Sequence, residues 1–109
     1  MSALVPVDAR SLARRLEAGE VTLIDIREPG EFANEHVQGA VSAPLSRLIA
    51  GELKVRSVIP VVFTCKTGMR TSANCDQLAA HVGEPAYVLE GGLEAWKKAG
   101  FATASHRHG

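Results

Sequence analysis

The sequence predicts an α/β fold: one domain with a mostly parallel central sheet flanked by helices. Three observations carry this. Short apolar runs rich in branched residues, at 21–26, 58–64 and 86–89, alternate with stretches of helical spacing. Glycine or proline punctuates nearly every junction between them. Charged or reactive residues gather where the runs end: Asp25, Arg27 and Glu28, then Cys65 and Lys66, then Glu90. In open sheets of this class, ligands bind outside the carboxyl ends of the strands.

Val5 and Val7 indicate a short first strand, and Pro6 assigns it to an edge because proline cannot donate to a ladder. Asp8 is a natural N-cap. Ala9, Leu12, Ala13 and Leu16 then share one helical face, with Arg10, Arg14 and Arg15 left to solvent and Gly19 as the stop. Residues 21–26 read as a buried strand. Pro29 and Gly30 break the chain, and residues 31–35 suit a short helix carrying Phe32 inward. Residues 36–40 read as a turn, with His36 hydrogen-bonded inside it. Residues 41–43 read as a short strand stopped by Pro44, and Leu45, Leu48 and Ile49 as one or two helical turns. A polar loop follows over 51–57.

Residues 58–64 form the second strong strand, with Pro60 near its start. Cys75, Leu78, Ala79 and Val82 fall at i, i+3, i+4 and i+7, the buried stripe of a helix that Gly83 and Pro85 terminate. Residues 86–89 are a further strand. Gly91 and Gly92 turn the chain into a helix with Leu93 and Trp96 inward and Lys97 and Lys98 at its end, where cations suit the dipole. The ordered core is expected over about 5–101, with a loose tail at 102–109 holding His106 and His108.

Lysine plus arginine equals aspartate plus glutamate, at 12 each, so no overall basic field recruits nucleic acid or an anionic membrane. No run of about 18 apolar residues is present to span a bilayer. The first residues lack the pattern of a signal peptide. Two cysteines, Cys65 and Cys75, are too few for a secreted disulfide scaffold and are not spaced Cys-x-x-Cys. A reducing, cytoplasmic location is the expectation. The four histidines show no metal-ligand spacing, and neither metal nor cofactor is expected.

The chemistry points to Cys65. It ends an apolar strand, four residues separate it from Arg70, and a helical pattern follows. A free thiol is mostly protonated at neutral pH, and backbone N–H groups, a helix N-terminus and nearby cations favour the thiolate. Gly68 lets the loop fold tightly, Lys66 and Arg70 bring cations, and Thr67, Thr71 and Ser72 bring hydroxyls. Such a loop suits a nucleophile that meets a small anion.

The segment Cys65-Lys66-Thr67-Gly68-Met69-Arg70 resembles the six-residue active-site loop of rhodanese-type sulfurtransferases. Leu23-Ile24-Asp25-Ile26-Arg27-Glu28, with Glu31-Phe32 and His36-Val37-Gln38-Gly39-Ala40, is similar to the family's amino-terminal signature. Val88-Leu89-Glu90-Gly91-Gly92-Leu93-Glu94-Ala95-Trp96 is similar to its carboxyl-terminal signature. Gln38 departs from the pattern, standing where proline is frequent.

The resemblance implies a single rhodanese-like domain. It implies transfer of a sulfane sulfur from thiosulfate or a persulfide donor, through a Cys65 persulfide, to cyanide or a thiol. Residues 66–70 would hold the persulfide and the leaving anion. Arg70 would brace the loop and bind anion in a forked geometry, and Lys66 would attract the donor.

Asp25 and Arg27 read as a structural charge network beside the loop, and Cys75 as core filler. Two other functions compete. One is a sulfur-carrying or thiol-modification sensing module with a protein partner. The other is a phosphatase or arsenate reductase, which the short spacing to Arg70 disfavours because relatives with that chemistry carry one residue more.

Overall fold

The computed structural model describes residues 4–82 and 86–105. Five strands, β1 (Leu4–Val7), β2 (Thr22–Asp25), β3 (Val41–Ser42), β4 (Val61–Thr64) and β5 (Ala86–Leu89), form one sheet in the order β1-β5-β4-β2-β3. Every pairing is parallel. The helices are α1 (Ala9–Glu17), α2 (Pro29–Asn34), α3 (Leu45–Ile49), α4 (Met69–Ala73), α5 (Cys75–Val82) and α6 (Gly92–Lys98).

The central strand β4 is buried along its whole length, as a parallel strand covered on both faces must be. Its side chains alternate. Val61, Phe63 and Cys65 enter one apolar cluster with Leu48 of α3 and Leu78 of α5. Val62 enters the other, with Leu12 of α1 and Leu93 and Trp96 of α6. β2 repeats the pattern, with Leu23 on the α1/α6 face and Ile24 and Ile26 on the opposite one.

The strand order places a switch point between β2 and β4. The chain leaves β2 toward β3 on one side and leaves β4 toward β5 on the other. The register pairs Asp25 with Thr64, so both strands stop at one level and open a crevice there. Cys65 follows β4 into that crevice, and α2 descends from β2 on its other wall.

Several local expectations hold for physical reasons. Pro6 lies in an edge strand. The Asp8 carboxylate caps α1 by accepting from the Ser11 N–H at 2.7 Å, an interaction typically worth about 1 kcal/mol. His36 bonds through Nδ1 to the Phe32 carbonyl and stacks on the Phe32 ring at 4.0 Å.

Four expectations need correction. The strand at 58–64 begins only at Val61, because Val58 is fully exposed and Pro60 carries no N–H. Its carbonyl still accepts from Thr22. Arg15 is half-buried, not left to solvent, and its guanidinium lies 5.7 Å from the centre of the Tyr87 ring. The helical pattern after Arg70 is two helices, broken at Asn74, whose side chain turns back to the Arg70 carbonyl at 2.8 Å.

The tail, finally, is not loose over 102–105. The Trp96 indole donates to the Ala102 carbonyl, Thr103 donates to Glu35, and Ala104 exchanges two backbone bonds with His36. Gly83, Pro85, His106 and His108 lie outside the described residues.

Candidate active site

Cys65 is 1% exposed at the carboxyl end of β4. A four-residue loop wraps it. The Gly68 N–H donates to Cys65 Sγ at 3.1 Å, and Gly68 takes φ 92°, a left-handed turn that glycine adopts without cost. The hydroxyl of Thr71, fully buried, donates to the Gly68 carbonyl at 2.9 Å and lies 3.8 Å from Sγ. Since its one proton goes to Gly68, its oxygen is free to accept from the Cys65 thiol. Thr71 thus reaches the sulfur. Thr67 and Ser72 are exposed. Lys66 and Met69 are exposed as well, on the outer rim of the loop.

The loop is held from two sides. From α6, the N–H groups of Leu93 and Glu94 donate to the carbonyls of Cys65 and Lys66 at 2.8 and 2.9 Å. This approach needs Gly92. A Cβ there would lie 2.5 Å from the Cys65 carbonyl oxygen and 2.8 Å from the Lys66 carbonyl, and its φ is 61°. Gly91 packs against Gly68 in the same way, its backbone nitrogen 3.3 Å from where a Gly68 Cβ would stand.

From α2, Glu31 binds Arg70 in a two-pronged ion pair, Nη1 to Oε1 at 2.8 Å and Nη2 to Oε2 at 2.9 Å. The pair spans the crevice between the β2 and β4 connections. It holds the Glu31 carboxyl at about 2, against an ordinary 4.5. The Arg70 pKa is raised, first by the hydrogen bonds to Glu31 and then by the Glu31 charge. Arg70 is thus tied to α2 across the crevice. The fork expected to take an anion is engaged by Glu31.

Asp25 and Arg27 stay beneath this layer. They are 1% and 4% exposed, and the Arg27 guanidinium meets the Asp25 carboxylate at 2.9–3.2 Å. Arg27 also donates from its backbone to Asp25 and from Nη2 to the Glu35 carbonyl, at the end of α2. The pair fixes α2 on the strand end and so fixes where Glu31 stands. Asp25 bonds Arg27, and Arg27 reaches on to the carbonyl of Glu35, the residue that caps α2. Cys75 packs as a free thiol against the apolar cluster that holds Cys65.

A groove of about 690 Å³ runs beside the loop, with Pro6, Met69, Val88 and Glu90 in its lining. Gly68 and Thr71, the residues that touch Sγ, form part of its wall. Among the described residues, no group of acidic, histidine or cysteine side chains is arranged to hold a metal. No helix among them is long and apolar enough to cross a membrane.

Sequence alone does not mark Glu31 and Gly92 as site residues. Both stand inside the quoted signatures, so the signal was present. What each touches is visible only in three dimensions.

Comparison with known proteins gives a consistent result. A family model described as a rhodanese-like domain matches residues 8–99. Protein slr1261 of Synechocystis is 36% identical over 104 residues, covering 95% of this chain and 58% of that protein, so the chain spans little more than half of that relative. The thiosulfate sulfurtransferase GlpE of Tolumonas auensis is 28% identical over 97 residues, covering 89% of this chain and 92% of that one. Among solved structures, the Alr3790 protein of Anabaena superposes with a TM-score of 0.77 at 26% identity, covering 91% of this chain and 82% of that chain.

Proposed function

The chain belongs to the rhodanese-like family, and we propose that it is a sulfurtransferase in which Cys65 carries a sulfane sulfur between a small donor and a thiophilic acceptor. The observation that carries this reading is the Cys65 loop. It combines a sunken sulfur, a backbone N–H aimed at it at 3.1 Å, and a cradle of four residues ending in a braced Arg70.

The Cys65 thiolate attacks the outer sulfur of the donor. The new Sγ–S bond forms as the donor's S–S bond breaks, and its electron pair leaves with sulfite, from thiosulfate, or with a thiolate, from a persulfide. The transferred sulfur stays on Cys65 as a persulfide, near the Gly68 N–H. That amide is oriented before reaction, so it stabilises charge on sulfur without reorganisation. Thr71 can accept from the thiol before attack and turn its proton toward the thiolate when the thiol is lost.

An acceptor thiolate or cyanide then attacks the outer sulfur. The Cys65–sulfur bond breaks, its electron pair returns to Sγ, and the thiolate is regenerated. The exposed ammonium of Lys66 on the rim draws anions toward the loop.

Burial favours sulfur over phosphate as cargo. With Cys65 1% exposed, a terminal sulfur on a narrow stem reaches Sγ more readily than the centre of a tetrahedral phosphoryl group. The test is single-turnover loading with thiosulfate and with a persulfide, followed by transfer to cyanide, using Cys65→Ser as the comparison. Loading and thiocyanate formation are expected only with Cys65. Cys65-dependent hydrolysis of an aryl phosphate, without sulfur loading, would overturn the proposal.

A further inference from the structure

The guanidinium at the end of the Cys65 loop is already engaged. Arg70 is the loop's guanidinium, and its charge and that of a Cys65 thiolate act on each other. Both of its terminal nitrogens are bound to one carboxylate, Glu31, whose pKa of about 2 leaves it ionised at neutral pH. The two side chains are 40% and 34% exposed, so an incoming ligand meets the carboxylate along with the guanidinium. Glu31 is itself fixed. Its Oε1 accepts from the Glu28 N–H, and Ser46 bonds the Glu28 carboxylate from α3. The Asp25–Arg27 pair pins α2 behind it. The crevice thus presents a neutral pair where a dianion would need a free fork.

We infer that Glu31 is a specificity-determining residue that turns the Cys65 loop away from dianionic donors and toward persulfides carried on an uncharged body. This inference rests on the sulfur-transfer reading and narrows its donor class. Thiosulfate approaches as a dianion and releases sulfite, also a dianion, and each would compete with the Glu31 carboxylate for Arg70. A hydropersulfide on a neutral carrier brings its sulfur to Sγ and leaves as a monoanionic thiolate. In that exchange the Sγ–S bond forms, the carrier's S–S bond breaks with its electron pair going to the carrier sulfur, and the proton stays on the transferred sulfur. It needs no vacant fork on Arg70.

The experiment compares wild type with Glu31→Gln, which keeps the side-chain length and removes the charge. Two donors are used, thiosulfate and the hydropersulfide of mercaptoethanol, and the readout is the ratio of their kcat/KM values. The ratio of thiosulfate to persulfide is expected to rise about fivefold in Glu31→Gln, the size of one exposed ion-pair interaction, with the gain in the thiosulfate KM. A ratio unchanged within twofold, or a fall in it, overturns the inference.

A binding measurement covers the case in which the variant's loop is perturbed. Sulfate, an inert dianion, is titrated calorimetrically against both proteins and is expected to bind about fivefold tighter to Glu31→Gln. Equal or weaker sulfate binding overturns the inference. Glu31→Asp, which retains the charge, is expected to bind sulfate within twofold of wild type, and sulfate binding as tight as in Glu31→Gln counts against a charge mechanism. If neither donor loads Cys65 in any of these proteins, the sulfur-transfer reading fails, and the sulfate titrations still decide the role of Glu31.

Discussion

Gly92→Ala tests how the active loop is held. Position 92 has φ 61°, and an added Cβ would stand 2.5 Å from the Cys65 carbonyl oxygen and 2.8 Å from the Lys66 carbonyl. An L-residue in the left-handed region costs about 1–2 kcal/mol. The clash then forces α6 and the loop apart, which weakens the Leu93 and Glu94 hydrogen bonds to those carbonyls, each worth about 1 kcal/mol. The sum is roughly 3–4 kcal/mol, which for a domain of this size lowers Tm by on the order of 10–20 °C.

Gly51→Ala separates the two contributions. Gly51 has φ 77° and nothing within 4 Å of an added Cβ, so it carries the backbone cost alone. The assay is urea denaturation of both variants, with single-turnover sulfur loading on each. Gly92→Ala is expected to cost at least about 1.5 kcal/mol more than Gly51→Ala. It is also expected to slow loading by on the order of a hundredfold, the usual consequence of a displacement of about 1 Å at a reacting group. If the two variants lose equal stability and Gly92→Ala loads at the wild-type rate, the α6 contact does not position the loop.

Three further outcomes follow. Asp25→Asn leaves the buried Arg27 guanidinium without its counter-charge and is expected to cost about 3–5 kcal/mol, read as a shift of the urea midpoint at constant slope. Glu31 has a folded pKa of about 2, below its ordinary 4.5, so its contribution is fully present above pH 4.5 and is lost as pH falls from 4.5 toward 2. Solvent screening of this part-exposed pair limits the loss to about 1 kcal/mol, and a pH series of denaturation curves should show that slope in wild type and not in Glu31→Gln. Trp96→Phe removes the indole donor to Ala102. It is expected to cost about 1 kcal/mol and to speed amide exchange at Ala104, which bonds His36 in the adjoining segment.

What could be read from the sequence depended on range. The strand, cysteine, loop and arginine from 61 to 70 are contiguous, so local pattern and the family resemblance together locate them. Periodicity found the α5 face, because Cys75, Leu78, Ala79 and Val82 report one helix stripe. The partner of Arg70 was not legible, because Glu31 lies 39 residues away and acidic residues are common on surfaces. Gly91 and Gly92 could be read as a turn. Their second role, admitting α6 to within hydrogen-bond distance of Cys65 and Lys66, needs the fold.

Residues 102–105 look like a tail by composition, since their order comes from Trp96, Glu35 and His36 and not from their own periodicity. The strand boundary at Val61 was missed for a similar reason. Val58 and Ile59 are strand formers by type, but Ser57 bonds both the N–H and the carbonyl of Ile59. Arg15 shows the same limit on a smaller scale, because a helical wheel does not reveal that Tyr87 lies across from it.

The measurement that bears most directly on Cys65 is the intact mass of the protein before and after exposure to thiosulfate or the mercaptoethanol hydropersulfide, then after cyanide. The expected result is the gain of one sulfur atom, confined to Cys65 by peptide mapping, absent in Cys65→Ser, and reversed by cyanide with release of thiocyanate. Sulfur retained in Cys65→Ser, or a wild-type protein that takes up no sulfur from either donor, would contradict the assignment of Cys65 as the sulfur carrier.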